Sequence, residues 1–148
     1  MQCIKGNDSV KVRDFILPVL CIVVVAVFYP IQIVGNSMFP TLKDGEIGIC
    51  TRISNISRFD IVVVNQDGKK IIKRVIGLPN ETIEYKDNQL FIDGNLVKDN
   101  KKVGFTKDFK VKLGNDEYFC MGDNREHSLD SRKYGAYKRK QIMGEKVI

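Results

Sequence analysis

Histidine is nearly absent from this chain of 148 residues, and that scarcity narrows its chemistry at once. The one histidine, His127, has no partner at metal-ligand spacing, so the sequence offers no zinc site and calls for no cofactor. Alanine is scarce as well. Only Ala26 and Ala136 occur, and neither forms the A-x-A site that a cleavable signal peptide requires. The four cysteines, Cys3, Cys21, Cys50 and Cys120, show no CxxC pair and no framework spacing, which argues against a disulfide-stapled fold. Cys50 and Cys120 each end a β-like stretch and are compatible with a bridge or with two free, mostly buried thiols. Repeats are absent, and the lysine-rich KDNKK near 98–102 is the one biased segment.

What is present is ordinary in bulk and uneven in distribution. Hydrophobic residues make up 43% and charged residues 28%, enough apolar content to exclude wholesale disorder. The length suits one compact domain with a short appendage. The net charge is +6, and Arg132, Lys133, Lys138, Arg139 and Lys140 concentrate it near the C-terminus. No nucleic-acid module accompanies these charges, so nucleic acid is not expected as a partner. A solvated surface suited to anionic lipid is.

Residues 15–31 read FILPVLCIVVVAVFYPI without a single charge. A membrane span needs about 20 apolar residues, with a lower limit near 17, so the run just qualifies. Pro18 falls in the first turn, where its missing N–H is harmless, and Pro30 marks an exit. Lys5, Lys11 and Arg13 precede the run, which places the N-terminus in the cytoplasm by the positive-inside rule. The expected organisation is a short cytoplasmic N-terminus over 1–14, a single-pass anchor in the cell membrane over 15–34, and an extracytoplasmic domain over 35–148.

Past Gly35 the pattern becomes short-period. GEIGICTRI, FDIVVVN, KIIKRVIGL, ETIEYK, QLFID, FKVKL and EYFCMG are brief and rich in Ile, Val, Phe and Tyr. Lys43-Asp44-Gly45, Asp67-Gly68, Asp87-Asn88, Asp93-Gly94 and Gly114-Asn115 punctuate them. Asp67-Gly68 and Asp87-Asn88 predict hairpins. The fold class is therefore mainly β: a compact β-sheet domain on a single N-terminal transmembrane helix.

The stretch VGNSMFPTL, Val34 to Leu42, follows the apolar run and carries Ser37. A serine hydroxyl is a weak nucleophile and needs a positioned base. One candidate base is His127, with Asp123 and Asp130 near it in sequence. The other lies in KKIIKRVIGL, where alternation puts Ile71, Lys73 and Val75 on one face and Ile72, Arg74 and Ile76 on the other. Each face thus carries one cation between apolar residues. Arginine stays protonated, whereas a desolvated lysine can lose its proton, so a base in this strand is Lys73. To work near neutral pH its pKa must fall from about 10.4 to about 7–8, which burial can achieve. The third element, MGDNREHSLDSRKYG over 121–135, packs opposed charges into a turn-rich stretch able to brace a lysine amine.

Taken in order, the apolar run, GNSMFPTL, RFDIVVV, KRVIGLP and GDNREHSLDSRKYG resemble the type I signal peptidases, membrane-bound serine proteases of exported preproteins. The resemblance covers nearly the whole chain and implies a β catalytic domain related to that of self-cleaving repressors. It implies that Ser37 is the nucleophile, Lys73 the general base, and the Ser37 N–H part of the oxyanion hole. It further implies that Ser128 hydrogen-bonds the lysine, that Asp130 and Arg132 form a structural ion pair, and that Asp60 belongs to the strand motif. Ile33, Val34, Met38, Leu42 and Ile72 match positions lining the pockets for small substrate residues at −1 and −3 from the cut. The implied partners are exported preproteins and the lipid bilayer.

The chain departs from the family pattern in two places. Gly35 stands where some members carry a second serine, so its side chain offers no oxyanion donor, and LPNE replaces the common LPGD. The glycine, the single span and the small domain resemble the Gram-positive form. Self-cleaving repressors share the serine–lysine pair but carry a DNA-binding domain where this chain has its apolar run. The non-enzymatic alternative is a membrane-tethered β module that binds an anionic partner, which explains the charge and leaves Ser37 and Lys73 without a task.

Overall fold

A computed structural model describes residues 13–52 and 55–146. The expected cytoplasmic segment 1–14 lies almost wholly outside the described residues. Helix α1 spans Arg13–Val27, and strand β1, Phe28–Gln32, follows it without a linker. Then come β2 (Ile47–Thr51), β3 (Ile61–Gln66), β4 (Lys69–Gly77), β5 (Thr82–Lys86), β6 (Gln89–Ile92), β7 (Asn95–Val97), β8 (Phe109–Lys112) and β9 (Glu117–Met121). The short helix α2 (Ser131–Tyr134), β10 (Tyr137–Lys138) and β11 (Ile142–Lys146) complete the chain.

The strands form two antiparallel sheets. One has seven strands in the order β1-β2-β11-β3-β4-β9-β10, and the other has four in the order β7-β6-β5-β8. All seven strand-like stretches of the sequence are strands. Both predicted hairpins form: Asp67 and Gly68 have φ of 50° and 85°, and Asp87 and Asn88 have φ of 51° and 61°. Positive φ at both central residues matches the right-handed twist of the flanking strands, and Asp, Asn and Gly tolerate it best. The β3–β4 hairpin fixes a register in which Ile61 faces Arg74 and Val62 faces Lys73.

Three apolar clusters hold the sheets. Ile76, Ile83, Tyr85, Leu90, Phe119 and Met121 join the small sheet to the large one. Val62, Val64, Val75, Cys120 and Ile142 form a second cluster within the large sheet. Ile33, Met38 and Leu42 pack as a third against Ile61 and Ile72, so the VGNSMFPTL segment is fastened to β3 and β4. β4 is buried on both faces from Lys73 onward, because different clusters cover its two sides. Cys50 and Cys120 are free, buried thiols, so no bridge links them.

The apolar run is divided rather than continuous. It was expected to form one anchor over 15–34, but α1 ends at Val27 and Phe28–Gln32 pairs with β2. Aromatic and branched residues there favour an extended chain, and β1 is an edge strand, where Pro30 leaves no ladder bond unmade. Arg52 closes the helix end. Its backbone N–H donates to the Val27 carbonyl at 2.9 Å, and its Nη1 donates to the Ala26 and Val25 carbonyls at 2.8 and 3.2 Å. These bonds satisfy carbonyls that the last helical turn leaves free.

Every residue of α1 from Phe15 to Ala26 is exposed, with Leu17 at 68% and Val25 at 72%. An apolar helix without a covered face is unusual on a soluble domain. Among the described residues no helix is long and apolar enough to cross a membrane. The 15 residues of α1 reach about 22 Å at 1.5 Å per residue, against a hydrocarbon core of about 30 Å.

Candidate active site

Ser37 opens the turn that follows Gly35 and Asn36. Phe39 N–H donates to the Asn36 carbonyl at 3.2 Å, and Leu42 N–H to the Met38 carbonyl at 2.9 Å, so residues 36–42 wind tightly. Met38 and Leu42 point into the apolar cluster beneath, which leaves Ser37 half-buried and facing β4. There Lys73 Nζ lies 2.8 Å from Ser37 Oγ and donates to the Ile72 carbonyl at 2.9 Å. Lys73 is only 3% exposed. Burial is the main cause that lowers its pKa, to about 8, and the nearby Asp130 charge pulls the other way. A lysine in this state releases its proton near neutral pH and can take one from a hydroxyl at contact distance.

The adjacent cation is treated differently. Arg74 Nε and Nη2 donate to Asp123 Oδ1 and Oδ2 at 2.7 and 2.6 Å, and its Nη1 donates to the Phe59 carbonyl at 2.6 Å. Thr41 Oγ1 adds a bond to Asp123 at 2.6 Å. Such a forked pair satisfies both buried charges. Sequence reasoning singled out neither Arg74 nor Thr41 as part of the site. The available signal was the adjacent Lys-Arg pair on a strand, which obliges a buried arginine to find a carboxylate elsewhere.

Behind the lysine, Asp130 gathers donors from its own loop. It accepts from Ser128 Oγ at 2.8 Å, from Arg132 Nε and Nη2 at 2.8 Å each, and from the Gly122 N–H at 2.9 Å. Burial alone would raise its pKa, but the bonds from Arg132, Gly122 and Ser128 together hold it below the usual carboxylate range. Asp130 and Arg132 form the expected ion pair. Ser128 departs from expectation, because its hydroxyl donates to Asp130 and makes no bond to Lys73. A carboxylate accepts such a bond more strongly than an amine does. Gly122 sits between the two groups. A Cβ there would lie 2.2 Å from Ser128 Oγ and 2.5 Å from the Ser37 carbonyl oxygen, so only glycine fits.

A cleft of about 360 Å³ opens beside Ser37. Residues Tyr29 to Val34 form one wall and Lys70 to Lys73 the other. Ile33, Val34, Met38 and Ile72 are among the residues that line it. Leu42 does not line it but lies beneath, packed with Ile33 and Met38. Asp60 stands away from the dyad. It accepts from the Ser57 N–H at 2.6 Å and shapes the turn that offers the Phe59 carbonyl to Arg74. His127 is exposed, and its Nδ1 lies 3.1 Å from Asn124 Oδ1. Asp123 and Asp130 are committed to Arg74 and Arg132, so no carboxylate orients the histidine toward Ser37.

A family model described as signal peptidase, peptidase S26, matches residues 8–148. Signal peptidase I of Bacillus amyloliquefaciens is 39% identical over an alignment covering 95% of this chain and 88% of that one. Signal peptidase I S of Bacillus subtilis is 41% identical, over 80% of this chain and 74% of its own length. The crystal structure of a signal peptidase I from Enterococcus faecalis superposes with a TM-score of 0.58 at 32% identity, covering 63% of this chain and 97% of that one.

Proposed function

Since this chain belongs to the signal peptidase family, peptidase S26, and is a serine endopeptidase that removes signal peptides from exported preproteins, we propose that Ser37 is its nucleophile and Lys73 its general base. The observation that carries this assignment is the 2.8 Å contact between Ser37 Oγ and a buried lysine whose pKa falls to about 8. Neutral Lys73 accepts the hydroxyl proton as Oγ attacks the scissile carbonyl. The Ser37 N–H holds the oxyanion, and the protonated lysine delivers its proton to the departing amine, the new N-terminus of the mature protein. Lys73 then activates a water that releases the signal peptide from the acyl-enzyme.

The cleft supports a preference for small residues at −1 and −3. Ile33, Val34, Met38 and Ile72 present a shallow apolar lining, and Leu42 supports that floor from below. Asp123, Asp130, Arg132 and Ser128 are braces around the lysine and Arg74. In this reading α1, exposed and apolar on all sides, tethers the enzyme to the bilayer with its N-terminus in the cytoplasm. The catalytic domain, β1 included, lies outside, and enzyme and substrate share one membrane, which raises their effective concentration.

Cleavage of an A-x-A preprotein in detergent tests the assignment. Ser37→Ala and Lys73→Ala are expected to be inactive and His127→Ala to remain active, within about fivefold of wild type. Cutting by Lys73→Ala together with an inactive His127→Ala would transfer the base role to the histidine.

A further inference from the structure

The peptide group between Asn36 and Ser37 carries the N–H assigned above to the oxyanion, and its carbonyl end is held from across the molecule. Asn124 Nδ2 donates to the Asn36 carbonyl at 3.1 Å. The Asn124 backbone N–H donates to the Ser37 carbonyl at 3.0 Å. One residue therefore grips the nucleophile segment on both sides of Ser37. A bond accepted by a peptide carbonyl polarises the N–H of the same group and fixes the direction in which that N–H points. Further upstream, Gly35 N–H donates to Asp44 Oδ1 at 2.7 Å, which anchors the Val34–Gly35 peptide.

The orientation of the Asn124 amide follows from these bonds. With Nδ2 committed to Asn36, Oδ1 faces the other way, where His127 Nδ1 lies at 3.1 Å. An amide oxygen only accepts, so the proton of that contact sits on Nδ1. A flipped amide would set two acceptors against each other at Asn36, and would meet His127 only in the other tautomer, with Nδ1 as acceptor.

We propose that Asn124 is a positioning residue for the oxyanion-holding Ser37 N–H, and that His127 holds the Asn124 amide in the orientation this requires. The inference rests on the assignment of Ser37 as nucleophile with its N–H in the oxyanion hole. It gives a reason for a polar side chain at 124 in a chain whose Gly35 supplies no hydroxyl. A hole that relies on a main-chain donor depends on how rigidly that donor is aimed.

The test is steady-state cleavage of an A-x-A preprotein by the full chain in detergent, with Ser37→Ala run alongside. Asn124→Ala keeps the main-chain bond to Ser37 and loses the amide, while Asn124→Asp places an acceptor where the donor was. Removing a direct oxyanion donor costs about 10²–10³ in kcat, so a residue acting through the donor is expected to cost about 10–10². KM should stay within about twofold. Affinity for a peptide aldehyde, whose adduct with Ser37 carries an oxyanion, should fall by the same factor as kcat, with affinity for the released signal peptide unchanged. His127→Ala is expected to lower kcat by about two- to fivefold, and to add nothing in the Asn124→Ala background. Wild-type kcat in both Asn124 variants overturns the proposal, as does an equal loss of aldehyde and product affinity with a lowered melting temperature. Additive effects of the two substitutions overturn the part given to His127. An active Ser37→Ala would instead overturn the nucleophile assignment beneath it.

Discussion

Lys73 and Arg74 are neighbours on β4, 3% and 5% exposed, yet their surroundings are opposite. Arg74 meets a carboxylate in a forked pair, with further bonds to a carbonyl. Lys73 meets a hydroxyl and a carbonyl, and no carboxylate among the described residues touches it. Burying an unpaired charge is costly, and a guanidinium cannot escape by losing its proton. An ammonium can. The fold therefore pairs a carboxylate directly with the permanent charge and leaves the titratable cation to desolvation that the more distant Asp130 charge only partly offsets. In the proposed mechanism, stability is built on one residue of the pair and reactivity on the next.

The largest break of this contrast is Lys73→Arg, which keeps a cation and removes the proton acceptor. It is expected to lower kcat by about 10⁴-fold, checked by single-turnover cleavage, and any substantial activity would remove the lysine from the base role. Asp123→Ala strips Arg74 of its partner and should cost about 3–5 kcal/mol in denaturant unfolding, as breaking a buried pair does. Lys73→Met acts the other way. The folded-state pKa of about 8 lies below the unfolded value of 10.5, so between those pH values the unfolded chain binds more protons and wild-type stability rises with pH. That rise amounts to about 3 kcal/mol, and Lys73→Met should lack it while unfolding later than wild type at pH 7. Gly122→Ala should reduce cleavage about 10²-fold by displacing Ser37 against Ser128, with the fold retained. The smallest effect belongs to Asp130→Asn. Wild-type kcat/KM should climb through pH about 8, and because the Asp130 charge raises the lysine pKa, its loss should move that limb to lower pH.

The sequence made the strands legible where period-2 runs met Asp-Gly or Asp-Asn turns, since those turns demand a backbone few residues adopt. It concealed β1, because FYPIQ continues an apolar run and hydrophobicity alone does not separate a helix from a buried or edge strand. β7 is only three residues long and closes a hairpin with β6, while β10 and β11 are short or irregular and owe their existence to partners farther away in the chain. At the candidate site, the pairing of Ser37 with Lys73 was legible from motif and chemistry, and the two side chains do meet. Ser128 was placed in the right loop with the wrong partner, since which acceptor a hydroxyl selects depends on distances fixed only by folding. The Arg74–Asp123 pair spans 49 positions, and local spacing carries no trace of it.

The β3–β4 hairpin acquires a further importance from this arrangement. Side chains on a strand change faces with every residue, so a slip of one position in that hairpin would carry Arg74 into the place of Lys73. Ser37 would then confront a guanidinium that holds its protons at every working pH, and Val75 would take the place of Arg74 beside Asp123. Asp123 would be left buried without its cation, and Val75 and Ile76 would each leave the cluster they now fill. The two-residue turn at Asp67-Gly68 thus acts as the phase lock that selects which of two adjacent cations faces Ser37.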